Sequence, residues 1–149
     1  MDIQLSDVGH IIQLSVAPVF LLTGVGSTMM VLTNRLARIV DRSRVLEEKL
    51  GAVEDATRIA CQNELHILYA RAHMINRAII LSVACAFMVS LVIVSLFVGD
   101  AFSLELSKVI ASFFVLGMLC LLGSFSFLLR EILTATQVMY KDKVMRIHH

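Results

Sequence analysis

The sequence predicts an all-α integral membrane protein with three transmembrane helices and a cytoplasmic antiparallel helical hairpin between the first two. Three observations support this fold class. Of the 149 residues, 58% are hydrophobic and 17% are charged, and the mean hydropathy is +0.82, a composition that soluble domains do not have. The chain contains three long uncharged apolar runs, and most of its basic residues lie between the first two runs.

The three apolar runs cover residues 11–33, 78–98 and 109–129. Each run is long enough to cross about 30 Å of hydrocarbon at about 1.5 Å per residue. Lipid offers no hydrogen bonds to the backbone, and three segments are too few to close a barrel of strands. The runs are therefore predicted to be transmembrane helices.

The basic residues predict the orientation of these helices. No Lys or Arg precedes the first run, eight lie in residues 34–77, one lies in 99–108, and four lie in 130–149. The positive-inside rule then places the N-terminus, residues 1–10, and the turn at 99–108 outside. It places the hairpin at 34–77 and the C-terminal helix or tail at 130–149 in the cytoplasm. The net charge of only +1 argues against nucleic acid as a partner, so the expected surroundings are the lipid bilayer and other proteins.

Residues 34–77 keep a helical pattern on both sides of Gly51. Apolar side chains recur there at spacings of three and four, as in a heptad repeat. We call these residues the hairpin seam: Leu36, Ile39, Leu46 and Leu50 in the first arm, and Leu65, Leu68 and Ile75 in the second. Because two such short arms bury little surface alone, the seam predicts packing against a second copy or a protein partner.

Small and polar residues share one side of the first transmembrane helix. On a helical wheel they form what we call the polar stripe: Gln13, Ala17, Gly24, Ser27 and Thr28. Polar groups in a membrane favour the lining of a central path through several copies. Small residues equally favour close packing between helices, and the sequence leaves both interpretations open. Pro18 removes a backbone donor and predicts a kink in this helix.

The densest group of charges follows this helix directly: Asn34, Arg35, Arg38, Asp41 and Arg42. Three roles compete for it. The arginines can fix the topology and contact anionic lipid. Asp41 can pair with an arginine of a neighbouring subunit, or the arginines can form the cytoplasmic mouth of a pore and favour anions.

Residues 17–27, Ala-Pro-Val-Phe-Leu-Leu-Thr-Gly-Val-Gly-Ser, and residues 32–44, Leu-Thr-Asn-Arg-Leu-Ala-Arg-Ile-Val-Asp-Arg-Ser-Arg, resemble the bacterial domain of unknown function family 2721. The resemblance extends over nearly the whole chain, and residues 34–42 are its most specific part. It implies a small protein of the bacterial cytoplasmic (inner) membrane with about three spans. The resemblance implies no particular activity and no catalytic residue.

The sequence contains no phosphate-binding glycine loop, nucleophile elbow or zinc-protease motif. His66 and His73 are seven residues apart, about 10 Å along a helix, which is too far for one metal ion. We therefore expect no enzyme, no cofactor and no metal site. The expected function is a homo-oligomeric passive ion pore lined by the first transmembrane helix. The alternative is a membrane-anchored interaction or regulatory protein that binds a partner through the hairpin.

Overall fold

Three long α-helices make up the fold. A computed structural model describes residues 5–51, 55–102 and 105–147, with side chains over 9–51, 57–102 and 105–135. Helix α1 spans Leu5–Leu50, α2 spans Asp55–Ala101 and α3 spans Ser107–Ile147. No strand occurs within the described ranges, which confirms the all-α fold class.

Each of the first two helices continues through a boundary that the sequence analysis drew between a span and the hairpin. Helix α1 contains the first apolar run and the first hairpin arm in 46 residues, and α2 contains the second arm and the second run in 47. Pro18 lies inside α1, which remains one helix. Helix α2 ends at Ala101 and α3 begins at Ser107, so both ends fall within the predicted turn segment 99–108.

All three helices are long and apolar enough to cross a membrane, as predicted. Large apolar side chains point away from the rest of the chain, among them Phe20, Phe87 and Leu122, which are 73%, 60% and 60% exposed. Exposed apolar surface on this scale is unfavourable in water and is the normal state of a helix that faces lipid. The chain is a multi-pass membrane protein.

The chain divides into two compact units, of which the first comprises Met1–Met29 and Ile80–Gly123. Its core is a cluster of Val25, Cys85, Val89 and Leu121. Helices α2 and α3 approach closely at Gly117, where an added Cβ would lie 3.3 Å from Cβ of Met88. A glycine allows this approach because it has no side chain, as is common where helices pack inside membranes.

The second unit comprises Met30–Ile79 and Ser124–His149. Its core contains a buried cluster drawn from α1 and α2, and two residues of α3, Phe127 and Leu128, pack against that cluster. The buried members are Leu32, Ile39, Leu46, Leu68, Ile75 and Ala78. The hydroxyl of Ser124 donates a 2.8 Å hydrogen bond to the carbonyl oxygen of Ala78, which fixes α3 against α2.

Candidate functional site

A buried ion-pair cluster occupies the second unit. Glu131 of α3 is 1% exposed, and its carboxylate accepts hydrogen bonds from an arginine of each other helix. Nη1 of Arg35 donates to Oε2. Nε and Nη2 of Arg71 donate to Oε1, at 3.1 Å and 2.7 Å. One carboxylate therefore joins all three helices.

The periodicity of α3 explains why this carboxylate points inward. Phe127 and Leu128 pack against the cluster of apolar residues in the second unit, and Glu131 follows them at i+4 and i+3, on the same face of the helix. The apolar run ends at Leu129, so Glu131 is the first residue beyond it to face inward. A carboxylate so placed must be paired to be tolerated, and the two arginines provide the pairing.

The arginines extend beyond this ion-pair cluster into a cavity of about 380 Å³. We call it the arginine cavity, and its lining residues are Arg35, Arg38, Ile39, Arg42, Leu68, Arg71, Glu131, Ile132 and Ala135. Four arginines thus face one carboxylate across apolar walls. Charges of one sign between apolar walls concentrate the electrostatic potential inside such a cleft.

Two of the four arginines, Arg35 and Arg71, form ion pairs with Glu131. The other two, Arg38 and Arg42, do not. Arg42 donates to Oε1 of Glu64 from Nε at 3.0 Å and from Nη2 at 2.8 Å, in an ion pair whose members are both about half exposed. Arg38 is exposed and forms no ion pair or hydrogen bond with the described residues. Among the side chains that the structure describes, the positive charge of the cavity is therefore not fully neutralised.

Of the charged and polar residues that the sequence groups after the first transmembrane helix, some line the arginine cavity and others do not. Arg35 and Arg42 have partners inside the chain, and Arg38 lines the same cavity. Asn34 and Asp41 are exposed and do not line it. Asp41 forms no ion pair with the side chains that the structure describes, so its pairing with a neighbouring subunit remains a prediction.

The polar stripe lies on the outside of the first unit. Gln13, Ala17, Gly24 and Ser27 are exposed and Thr28 is half-buried. A Cβ added at Gly24 would meet no atom within 4 Å. The hydroxyls of Ser27 and Thr28 donate to carbonyl oxygens one turn earlier in α1, at 3.1 Å and 3.0 Å. The described residues of the chain therefore leave most of this stripe uncovered.

The hairpin seam lies in the core of the second unit. Ile39, Leu46, Leu68 and Ile75 are buried there. Leu36 and Leu65 pack against them, and Leu50 is half-buried. The two arms thus cover each other's apolar positions.

Pro18 is buried in the first unit. It lines an apolar cavity of about 400 Å³ together with Leu14, Val92, Leu96, Ser107, Ile110, Ala111 and Phe114. Ser107 is the one polar residue among the described residues that line it, and none of these is charged.

Glu131 and Arg71 were not predicted from the sequence to be functional residues. A usable signal was present, because Glu131 is the single acidic residue between Glu105 and Asp142 and follows Phe127 and Leu128 at helical spacing. Its partner Arg71 is 60 residues distant in sequence, and no local pattern links the two. Among the described side chains, no three His, Cys, Asp or Glu residues are grouped as metal ligands.

These features define a class of protein: an all-helical, multi-pass membrane protein in which two arginines pair with one buried glutamate. The chain belongs to the family described as protein of unknown function (DUF2721), whose model matches residues 15–140. No curated protein and no solved structure matches the chain.

Proposed function

We propose that this protein is a homo-oligomeric pore of the bacterial cytoplasmic membrane, with α1 of each copy facing a central path. The N-terminus lies outside, and the hairpin and the C-terminus lie in the cytoplasm. The distribution of basic residues supports this orientation. A reporter fused to the C-terminus tests it: fluorescent protein should fluoresce there, and alkaline phosphatase, which folds only outside the cytoplasm, should be inactive.

The single observation that carries the pore proposal is the exposure of the polar stripe. A helix facing lipid presents apolar side chains, whereas this face of α1 presents Gln13, Gly24 and Ser27 to the outside of the chain. Polar residues at membrane depth are usually turned toward a bundle interior or a water-filled path. One chain of three helices encloses no such path, so several copies would have to provide it.

The first experiment measures assembly. Gly24→Leu adds a side chain into space that is open in one copy, so it should reduce the native mass in nanodiscs to that of a single chain and leave helix content unchanged. Phe87→Leu is the matched control, because it changes an exposed residue of α2 outside the stripe. A single-chain mass for the unmodified protein would contradict the proposal.

The second experiment measures ion flux in proteoliposomes. Ser27→Leu should lower the flux, since it replaces a hydroxyl of the proposed lining with an apolar side chain. Ser90→Leu is the control: Ser90 is an exposed serine of α2 whose hydroxyl also bonds one turn back, to Ala86 at 2.8 Å. Equal flux through both variants would argue that the stripe is a packing surface alone.

A second candidate function is partner binding through the hairpin. The seam itself is buried, so the surface that supports this candidate is elsewhere: Val45 and Ile59 are apolar and are 44% and 64% exposed. Ile59→Asp should abolish the capture of a specific partner without changing the protein's stability. Unchanged capture of that partner would reject this surface.

A further inference from the structure

The arginine cavity has a charge imbalance that is built into the fold. Among the described residues that line it, Glu131 is the one acidic residue against four arginines. Glu64, the partner of Arg42, is exposed and does not line the cavity. Apolar side chains such as Ile39 and Leu68 form the rest of the wall and lower the local dielectric, so the positive potential is screened less than at an open surface.

The arginines also retain unused hydrogen-bond donors. A guanidinium group has five N–H donors. Glu131 engages one nitrogen of Arg35 and two nitrogens of Arg71. Glu131 thereby holds both side chains in position, and no further hydrogen bond joins their remaining N–H groups to the residues that the structure describes. Planar N–H groups on several fixed arginines match the oxygens of a phosphate group, which accepts paired hydrogen bonds from guanidinium.

The cavity lies close to the ends of the apolar runs. Arg35 is two residues beyond the first run and Glu131 is two residues beyond the third, which is about 3 Å along a helix axis. At that depth the phosphate groups of lipids lie next to the protein. The volume of the arginine cavity, about 380 Å³, is several times the roughly 30 Å³ that one water molecule occupies in the liquid. The cavity therefore has room for a phosphate group.

We propose that the arginine cavity is a binding site for a phosphate group, carried either by an anionic lipid headgroup or by a small soluble phosphate. Arg38 and the free N–H groups of Arg35 and Arg71 bind the phosphate oxygens. Glu131 is a positioning residue that orients two of these arginines. The site is complete in one chain and does not depend on the proposed pore, so the two proposals are tested separately.

The test uses the full chain and the variant Arg38→Gln. Arg38 has no partner among the described residues, so its replacement should leave the melting temperature in detergent unchanged. The matched control is Arg44→Gln, which removes an exposed arginine of the same helix that does not line the cavity. Both variants lose one positive charge, and only the first loses a donor to the site.

Two probes distinguish the sources of the phosphate. In the first, native mass spectrometry measures phosphatidylglycerol retained by protein taken from mixed phosphatidylglycerol and phosphatidylcholine micelles. In the second, the melting temperature is followed as pyrophosphate is added in pure phosphatidylcholine micelles at constant ionic strength. Arg38→Gln should weaken binding about tenfold, as expected for loss of one charge-assisted hydrogen bond, and Arg44→Gln should weaken it less than twofold.

Loss of selective phosphatidylglycerol retention in Arg38→Gln alone supports the site and identifies a lipid headgroup. Loss of pyrophosphate stabilisation in Arg38→Gln alone supports it and identifies a soluble phosphate. The proposal is overturned if neither probe binds the unmodified protein. It is also overturned if both variants weaken binding equally, because a diffuse surface attraction would then be sufficient.

Discussion

Replacing Glu131 by glutamine should destabilise the protein by about 2–3 kcal/mol. The change keeps the shape of the side chain and removes its charge, so Arg35 and Arg71 then face a neutral amide. Removing one partner from a fully buried ion pair costs about 3–5 kcal/mol. The side chains of Arg35 and Arg71 are 32% and 25% exposed, so water recovers part of that loss, and we reduce the expected value accordingly.

The free energy of unfolding can be measured in mixed micelles, by following circular dichroism as the fraction of sodium dodecyl sulfate rises. Glu64→Gln is the matched control, because it breaks the exposed pair with Arg42 and should cost at most about 1 kcal/mol. A double-mutant cycle of Glu131→Gln with Arg71→Gln should give a coupling energy of about 1–2 kcal/mol. Equal costs for Glu131→Gln and Glu64→Gln would refute the reasoning that burial makes this cluster important.

Three further substitutions test the packing by the same measurement. Gly117→Leu should destabilise the first unit by about 1–3 kcal/mol, since Cβ of Met88 lies 3.3 Å from the added Cβ; full stability would contradict the close approach. Ser124→Ala should cost about 1–2 kcal/mol, because it leaves the buried carbonyl of Ala78 without its 2.8 Å bond, and no loss would mean that this bond is not formed. Ile75→Ala should cost about 2–5 kcal/mol, because Ile75 is fully buried; a cost below 1 kcal/mol would indicate that this core is loosely packed.

The sequence was sufficient to predict the three helices, because hydropathy and length decide which segments enter a membrane. The register of the hairpin seam was also readable, since a heptad spacing places residues such as Ile39 and Leu46, seven residues apart, on one face. These are local properties of one segment. They require no knowledge of how one helix is rotated against another.

The ion-pair cluster could not be predicted in the same way. Glu131 is 96 residues from Arg35 and 60 from Arg71, and the pairing depends on which face α3 turns toward the hairpin arms. The sequence groups Arg35, Arg38 and Arg42 by their position along the chain and offers no means to choose partners for them. Likewise, the helical wheel identified the polar stripe, but only the packed helices could show that a Cβ added at Gly24 would contact none of the described residues of other helices.

The pairing of Glu131 with residues far upstream has a consequence for the order of events during synthesis. A ribosome completes α1 and α2 before it reaches α3, so Arg35 and Arg71 are made long before their shared carboxylate. Until α3 is made, these two guanidinium groups lack the carboxylate of Glu131, and charged groups of this kind oppose entry of their helix segments into lipid. The arrival of Glu131 then neutralises part of this charge and fastens the third helix to the other two. The same residue thus couples the synthesis of α3 to the assembly of the second unit.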